Sequence, residues 1–511
     1  MRVTLQPPVI ADDTVTWAWA MSEPNPYQTT NAFFIRYVGL DPHVYSDTLW
    51  LEIWLALMAR VLRRFEPPVN VDLPSPLPQA SIDYWLARHS ATGHIVVRPA
   101  DSDGYSPWRA QPVHVGDHPI GITFGGGKDS LCTLAMTQEL YGAAPSMLLH
   151  LFAPFPTWPR AVAAYVARME RYALRPLEAR TGVAVGRVIT DYRSNLVERH
   201  RELTKSHLEL FTMAGMPMLL AHQVETLTLS EPWGAAAVAS DPDEPPFPRK
   251  LSQRPESMDL EWLHYRRTLG VDQRMVNAGL VHHSLTPTTM LARRYPELLP
   301  YVMTCERTTR PTQFCYHCHK CAMFGIFLLG LGLTPDWFDI DAMLANDTYW
   351  ADLADAAKTA GQGRDGNAPM HPVIGLTGPF QEVCHSLHAI DPATVSPALG
   401  PVARERLELL CQLWGNAPYP VVLESPRQVT AWSRHPLIDA LSDLVGRSFP
   451  VTDSFSGPVF FGDLDVHFDP QVRHTPRTTA VAHLQPPLSE QERSFIVGGG
   501  RRMPPFGVTP P

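Results

Sequence analysis

The sequence has little cysteine and no long apolar run, and each absence excludes a class of protein. Seven cysteines in 511 residues are too few for the disulfide framework of a small secreted domain. The strongest apolar run, residues 322–333, is shorter than the roughly 20 residues that span a bilayer. The N-terminus lacks the apolar segment of a secretion signal. We therefore expect a soluble, cytoplasmic protein that has no membrane partner.

An excess of positive charge is also missing. The chain has 42 Lys and Arg against 51 Asp and Glu, a formal net charge of -9, so it lacks the broad positive field that attracts nucleic acid. Hydrophobic residues make up 45% and charged residues 18%, which allows extensive cores. We expect a globular protein whose partner is a small-molecule or peptidyl substrate and not nucleic acid; nothing in the sequence indicates its oligomeric state.

The chain is too long for one ordinary core, and its pattern changes along its length. Between residues 116 and 334, short apolar runs at 120–124, 147–152, 185–190 and 226–229 alternate with amphipathic stretches. This alternation is typical of βαβ units and predicts an α/β core with a parallel sheet flanked by helices. Around it we predict an N-terminal α+β domain at 1–115, a helical extension at 335–417 and a proline-rich region at 418–511.

A glycine-rich loop follows the first predicted strand. It reads Phe124-Gly125-Gly126-Gly127-Lys128-Asp129-Ser130 and leads into a helical segment. Glycines let backbone N–H groups turn toward an anion, and a helix N-terminus adds partial positive charge. The spacing excludes a Walker A loop, which needs four residues between its glycines and a Lys-Ser/Thr pair. We predict a phosphate-binding loop of another kind, with an ordinary glycine-rich βα turn as the alternative.

The loop resembles the Ser-Gly-Gly-x-Asp-Ser loop of the N-type ATP pyrophosphatases, with Gly125 in place of the first Ser. The resemblance implies the adenine nucleotide alpha hydrolase (HUP) type of fold, and ATP as a cofactor that residues 124–130 bind and cleave to AMP and pyrophosphate. It assigns Asp129 to the placing of Mg²⁺, and Lys128 and Ser130 to contacts with phosphate. The absent first hydroxyl weakens one of the expected contacts.

Four of the cysteines are clustered, and their spacing indicates a metal site. They are Cys305, Cys315, Cys318 and Cys321, a set that can close a tetrahedral, structural Zn²⁺ site. His317 and His319 are possible substitute ligands, an iron–sulfur cluster is the rival metal, and reduced cysteines without metal are the third possibility. The 7-cyano-7-deazaguanine synthases resemble this chain in carrying both the loop and a late four-cysteine motif.

Several further segments resemble, in the same order, the MurL family of ATP-dependent epimerases. They are Leu229-Ser230-Glu231, His283-Ser284-Leu285-Thr286-Pro287, Cys305-Glu306-Arg307, the cysteine motif, and Gly375-Leu376-Thr377-Gly378-Pro379-Phe380. MurL enzymes invert the terminal glutamate of UDP-N-acetylmuramoyl-L-alanyl-L-glutamate. This chain lacks three features of the MurL enzymes. They are an Asn near the sheet-edge Glu, an Asn before the Arg at position 307, and a Lys-Pro-Phe-Glu-Cys run.

The resemblance implies that ATP adenylates a substrate carboxylate. Adenylation removes the negative charge of that carboxylate, so a modest base can then take the neighbouring Cα proton and inversion can follow. Activation of this kind replaces a pyridoxal cofactor. Proton return on the opposite face, followed by hydrolysis of the adenylate, would give the epimer, AMP and pyrophosphate.

Four residues are candidates for the two proton carriers. They are His150 and Glu231, which follow or end apolar strands, His207 at the start of a core helix, and Cys384. Strand carboxyl ends are where open α/β sheets place their sites. The two histidines fit equally well as packed core residues, and Cys384 fits as a small apolar residue.

Two further residues are candidates for substrate contacts. Arg307 could pair with a substrate carboxylate, with a structural ion pair as its alternative role, and Ser284 lies in one of the family segments.

Two other classes of function compete with the epimerase. One is an ATP-dependent amidation, nitrile-forming or thiolation enzyme, in which Cys132, two residues beyond Ser130, could carry sulfur. The other is a module that binds ATP without catalysis. Release of pyrophosphate separates the enzymes from the sensor.

Overall fold

The chain forms one large mixed sheet with helices on both faces. The computed structural model describes residues 1–89, 91–98, 119–153, 159–197, 209–232, 255–305, 311–350, 380–415, 425–426, 435–449, 451–452, 459–461 and 464–466. The strands of the large sheet are β1 (Arg2–Leu5), β2 (Val9–Ala11), β3 (Thr14–Met21), β4 (Ala32–Tyr37), β5 (Val69–Asp72), β6 (Ile95–Arg98), β7 (Ile120–Thr123), β8 (Met147–Phe152), β9 (Val185–Thr190), β10 (Thr226–Leu229) and β11 (Arg274–Asn277).

The strand order is β11-β10-β7-β8-β9-β4-β3-β1-β5-β6, and β2 pairs with β3. Strands β7 to β11 are all mutually parallel, so the predicted parallel core is confirmed. Strand β11 was not predicted. The sheet continues into the N-terminal strands because β4 pairs with β9 antiparallel, with Ile35 opposite Thr190.

The central strands β7 and β8 are buried along their whole length because both faces of the sheet are covered. Every residue of β7 and β8 is buried, as expected of parallel strands between two helical layers. Leu148 packs into the core that holds Ile122, and the next residue, Leu149, packs into the core that holds Trp54. Successive side chains of one strand thus supply two separate cores.

Fifteen helices are described. They are α1 (Asp47–Leu62), α2 (Gln79–Arg88), α3 (Lys128–Tyr141), α4 (Pro159–Met169), α5 (Arg175–Thr181), α6 (Met216–Ala221), α7 (Pro255–Thr268), α8 (Leu285–Arg293), α9 (His319–Gly330), α10 (Ile340–Leu344), α11 (Asp347–Trp350), α12 (Phe380–Ala389), α13 (Pro392–Val395), α14 (Pro401–Trp414) and α15 (Pro436–Gly446). Among these residues no helix is both long and apolar enough to cross a membrane.

The remaining elements are short. Turns of 3₁₀ helix occupy Pro42–Val44, Ala278–Val281, Leu299–Tyr301 and Ser396–Ala398, and π-helical turns occupy Glu170–Leu174 and Leu210–Ala214. Two small sheets pair β12 (Ser425–Pro426) with β13 (Val451–Thr452) and β14 (Val459–Phe461) with β15 (Leu464–Val466).

The predicted helix at 160–179 is interrupted by the π-helical turn Glu170–Leu174, which lies between α4 and α5. Pro176, at the start of α5, has no backbone N–H to donate to this turn. The helix predicted at 340–360 consists of two short helices within 340–350, and residues 351–360 lie outside the described part of the chain.

A buried polar network holds the N-terminal helices to the core helix α7. The ring of His264 lies 2.6 Å from Glu52 Oε1, and Arg88 forms an ion pair of 3.2 Å with Glu261. All four side chains are buried. Buried charges are costly unless they are paired, so these contacts specify how α1 and α2 dock on α7.

Candidate active site

A tight loop joins β7 to α3 at the carboxyl edge of the parallel strands. The N–H of Phe124 donates to Leu149 O of β8 at 2.8 Å. Gly126 has φ of 82°, a conformation that favours glycine. A Cβ atom there would lie 2.7 Å from Met169 Cε and 3.0 Å from Met303 Cβ. Gly126 is therefore required both by its conformation and by its packing.

The other two glycines face open space. A Cβ atom at Gly125 or Gly127 would meet no atom within 4 Å. Gly127 is the N-cap of α3 and has no side chain to accept the N–H groups of the first helical turn. N–H groups at a helix N-terminus, together with its partial positive charge, favour anions. The loop is thus open at the side-chain positions of Gly125 and Gly127.

The charged residues of the loop form one compact group. Lys128 Nζ donates to Asp129 Oδ1 at 2.7 Å, and Ser130 Oγ donates to Gly127 O at 3.2 Å. Lys128 and Ser130 are buried, whereas the Asp129 side chain is 26% exposed. Asp129 is consequently the member of this group that a cation in solvent can reach.

A buried histidine lies close to the loop. The Nδ1 atom of His282 is 3.2 Å from His283 O. A carbonyl oxygen only accepts, so Nδ1 carries the proton and Nε2 is an acceptor. Nε2 has no hydrogen-bond partner among the described residues. Burial lowers the pKa of His282 to about 4, against an opposing effect of Asp129, while Lys128 adds to the lowering. The ring is therefore neutral at pH 7.

A buried carboxyl group from α12 approaches the same loop. Glu382 is 5% exposed and accepts the backbone N–H groups of Ser284 and Leu285, where α8 begins. Its Oε2 atom has no hydrogen-bond partner in the described part of the chain. Burial raises the pKa of Glu382 to about 8, although Lys128 lowers it; Asp129 adds to the rise. Glu382 therefore lies within electrostatic reach of both charged loop residues.

Sequence reasoning missed both of these groups. A usable signal for Glu382 was its place on the apolar face of α12, where Val383, Ser386 and Leu387 are also buried. A carboxylate on such a face is rare unless it has a partner or a role. The sequence around His282 gave no such signal, because nothing in it indicates that the segment after β11 lies near the glycine-rich loop.

His150, a predicted proton carrier, lies directly behind the loop at strand β8. Its Nδ1 is 2.6 Å from Phe124 O, and its ring centroid is 4.2 Å from that of Phe152. The side chain is fully buried, and burial lowers the pKa of His150 to about 4. His150 is thus a neutral ring that holds the residue before the three glycines.

Glu231 lies at the carboxyl edge of β10, where the sequence placed it. Its N–H donates to Asn277 Oδ1 at 3.0 Å, and the same oxygen accepts Gly279 N–H at 3.1 Å. A Cβ atom at Gly279 would lie 2.3 Å from Glu231 O, so only glycine allows this approach. Asn277 was not predicted as a site residue because β11 itself was not predicted.

The other predicted substrate contacts divide into two groups. Ser284 donates its backbone N–H to Glu382, and Cys384 is buried two residues beyond Glu382, where burial raises its pKa to about 12. The Cys384 thiol therefore stays protonated at neutral pH. Arg307 and His207, like residues 375–379 of the MurL-like segment, lie outside the described residues.

The four clustered cysteines converge as predicted. Their sulfur atoms all lie within 4.8 Å of one another, with Sγ–Sγ distances of 3.5 Å for Cys318–Cys321 and 3.8 Å for both Cys315–Cys321 and Cys305–Cys318. A tetrahedral zinc site with bonds of about 2.3 Å places its sulfurs about 3.8 Å apart. The cluster can therefore hold a metal ion such as zinc.

The histidines of this segment are not part of the cluster. Among the described residues the group of possible ligands contains the four cysteines only, and His317 Nδ1 is 3.0 Å from Asn346 Nδ2. Tyr316 has φ of 62°, which turns the chain tightly between Cys315 and Cys318. The group of possible ligands is therefore the four-cysteine one.

One short segment, Arg168 and Met169 of α4, connects the four-cysteine cluster to the loop. The guanidinium group of Arg168 donates to Cys305 O, and the next residue, Met169, packs beneath Gly126. Hydrogen bonds with the other three thiols, with a smaller effect of Arg168, lower the pKa of Cys305. Arg168 Nε and Nη1 are buried without hydrogen-bond partners among the described residues. The loop and the metal centre therefore share a wall.

Comparison of the chain with known protein families, with characterised proteins and with solved structures returns no match. The MurL resemblance accordingly stays a prediction, and function has to be argued from the geometry of the site.

A cavity of about 1300 Å³ lies away from the loop, between α4 and the paired strands β4 and β9. Its walls include Thr30, Phe34, Val166 and Asp191. None of residues 124–130 contributes to it, so this cavity and the loop do not coincide. We place the candidate site at the loop because unpartnered buried polar atoms, which native proteins seldom leave unexplained, lie around it.

Proposed function

We propose that the protein cleaves ATP to AMP and pyrophosphate, adenylates a substrate carboxylate, and inverts the adjacent carbon. The observation that carries this proposal is the surroundings of the loop. Open glycine backbone and the Lys128–Asp129 pair lie near two buried groups, His282 and Glu382, that each keep one polar atom without a partner. The open loop and its charged pair suit a phosphate group, and the two buried groups suit a reacting carbon beside it.

The sheet topology supports a nucleotide at this position. The chain passes from β7 to β8 and β9 on one side and then crosses to β10 and β11 on the other. The loop after β7 lies at the resulting switch point, where open α/β sheets bind their ligands. We assign the core to the HUP type on this arrangement together with the loop sequence.

Each loop residue has a defined role in the proposed reaction. Backbone N–H groups around Gly125 and Gly127 hold phosphate oxygens, and Lys128 compensates negative charge that develops on the pyrophosphate. Asp129, the most accessible of the charged residues, would hold Mg²⁺, which supplies further charge compensation when bound. The cysteine centre, with Zn²⁺, would stabilise the segment behind the loop and takes no part in the chemistry.

The proposed substrate is the carboxylate of an amino-acid-like or peptidyl molecule, by resemblance UDP-N-acetylmuramoyl-L-alanyl-L-glutamate. The resemblance to MurL and the acidic character of the chain support a small substrate. Sulfur transfer through Cys132 has less support, because that thiol is fully buried and its pKa is raised by burial. A buried, protonated thiol is a poor sulfur carrier.

The decisive experiment incubates the full chain with ATP, Mg²⁺ and UDP-N-acetylmuramoyl-L-alanyl-L-glutamate or L-alanyl-L-glutamate, and identifies the nucleotide products. We expect AMP and pyrophosphate. Asp129→Ala should lower the rate roughly 100-fold or more, because it removes a carboxylate that positions the cation. Asp336→Ala, at an exposed position in a loop, is the matched control. ADP as the product, or unchanged turnover of the Asp129 variant, would contradict the proposal.

A further inference from the structure

Inversion at a carbon requires one group that takes a proton from one face and another that returns a proton to the opposite face. This requirement rests on the proposed function. Of the predicted carriers, Cys384 keeps its proton. His150 also has an Nε2 without a partner among the described residues, but its ring packs against Phe152, and the charged groups that act on its pKa are Glu170 and Arg187, not the loop pair. Two residues that were not predicted from the sequence meet the requirement beside the loop.

We propose that Glu382 and His282 are the two proton-transfer residues of this site, Glu382 as the group that carries a proton and His282 as the group that accepts one. They come from different elements, and both lie within electrostatic reach of the Lys128–Asp129 pair. Each has one polar atom that is buried and without a partner among the described residues, Glu382 Oε2 and His282 Nε2.

The surroundings of Glu382 favour the protonated carboxyl group. Its environment is apolar on the α12 side, where Val383 and Leu387 are buried, and desolvation raises its pKa to about 8 in spite of Lys128. The N–H groups of Ser284 and Leu285 hold the carboxyl in place. A carboxylic acid held neutral at pH 7 can donate a proton, and after donation Lys128 compensates the new charge.

The surroundings of His282 favour the opposite role. The proton on Nδ1 is directed to His283 O at 3.2 Å, which leaves the lone pair of Nε2 as the acceptor. When Nε2 takes a proton, the ring becomes an imidazolium. The fixed tautomer therefore suits His282 to the role of the accepting group.

The atoms balance as follows. In one direction the Cα–H bond breaks, its proton passes to His282 Nε2, and its electron pair moves into the adenylated carbonyl to give an enolate. The O–H bond of Glu382 then breaks as its proton forms a new Cα–H bond on the opposite face. Water hydrolyses the inverted acyl-adenylate to the epimer and AMP, and exchange with solvent restores the proton of Glu382 and removes that of His282. The reverse reaction exchanges the two roles.

Glu382→Gln tests this role because it separates proton transfer from support of the fold. A glutamine oxygen still accepts the two N–H groups of α8, but the amide cannot donate a carboxyl proton. In deuterated water we expect pyrophosphate release within about threefold of the parent chain and inversion slower by roughly 100-fold or more. The starting epimer should still exchange its Cα proton through His282.

His282→Gln should give the complementary result, with exchange kept only for the product epimer. Glu139→Gln, which changes a surface ion pair with Arg294, is the control and should behave as the parent chain. A merely structural role would slow both exchange reactions together and would lower the unfolding midpoint. Either that outcome or unchanged inversion in Glu382→Gln would overturn the assignment.

Failure of the proposed function gives a different result. If the parent chain releases no pyrophosphate with either probe, the adenylation itself is contradicted. Infrared difference spectra of the parent chain and Glu382→Gln test the proton on Glu382 without any substrate. We expect the carbonyl band of a protonated carboxyl at pH 7 in the parent chain alone, and its absence would overturn the role of Glu382.

Discussion

The backbone N–H of Met303 donates to the carbonyl of Gly126 at 2.6 Å, and Met303 lies two residues before the cysteine ligand Cys305. The glycine-rich loop at 124–130 is thus hydrogen-bonded to the segment that leads into the four-cysteine cluster. A Cβ atom at Gly126 would also meet Met169, whose neighbour Arg168 donates to Cys305 O. Disturbance of the metal centre should therefore reach the loop.

Metal removal is the first test of this connection. We expect one zinc ion per chain, and a chelator should lower the thermal midpoint and weaken ATP binding together, because four close thiolates without a metal repel one another. Cys305→Ser should lose the metal, and Cys411→Ser, which is outside the cluster, should retain it. Metal analysis and calorimetry measure both effects. Full metal content in Cys305→Ser would contradict the four-cysteine assignment.

The three glycines of the loop should respond differently to alanine. Gly126→Ala should destabilise the fold by about 1–3 kcal/mol, because it has positive φ and its Cβ would lie 2.7 Å from Met169 Cε. Gly125→Ala enters open space and should leave stability within about 0.5 kcal/mol, but it should weaken nucleotide binding. Urea denaturation and calorimetric titration with ATP separate the two effects. Equal loss of stability in both variants would argue against the described loop.

Arg168 should support the metal centre electrostatically. A zinc ion with four thiolates carries net negative charge, and the buried guanidinium group lies beside Cys305. We expect Arg168→Gln to lower zinc affinity roughly 10- to 100-fold, as is usual for residues that support ligands. Arg171, which lies three residues further along the chain and is exposed, provides the control variant Arg171→Gln. Competition with a chromogenic chelator measures the affinities, and identical values would remove Arg168 from this role.

The pH dependence of stability should report Glu382. Burial raises its pKa from the ordinary 4.5 to about 8, so between these values the folded chain holds a proton that the unfolded chain has lost. Stability contributed by this group is therefore complete below about pH 4.5 and falls as pH rises toward 8.

Glu382→Gln lacks this dependence, so its stability relative to the parent chain should increase by a few kcal/mol between pH 5 and 8. Urea denaturation over this range measures the difference. Glu139→Gln should show no such change in relative stability between pH 5 and 8. The hydrogen bond from Arg294 lowers the pKa of Glu139, so titration of this carboxyl affects stability only at lower pH. A flat difference for Glu382→Gln would show that the carboxyl is ionised throughout.

Local patterns in the sequence determined several features of this protein. The apolar runs at 120–124, 147–152, 185–190 and 226–229 predicted β7, β8, β9 and β10, because strands covered on both faces are mostly apolar. The loop and the four cysteines were equally readable, since a phosphate loop and a four-thiolate site need particular residues at short spacing. Each of these features lies within one short stretch of chain, the longest being residues 305–321.

Only the tertiary structure decided which distant residues meet. The pairing of β4 with β9, which extends the sheet into the N-terminal strands, depends on edge geometry that no local pattern encodes. Glu382 and His282 approach Lys128 and Asp129 because α12 packs against α9 and the segment after β11 returns to the loop. Their unusual protonation follows from desolvation, a property of the packed interior that a linear sequence does not contain.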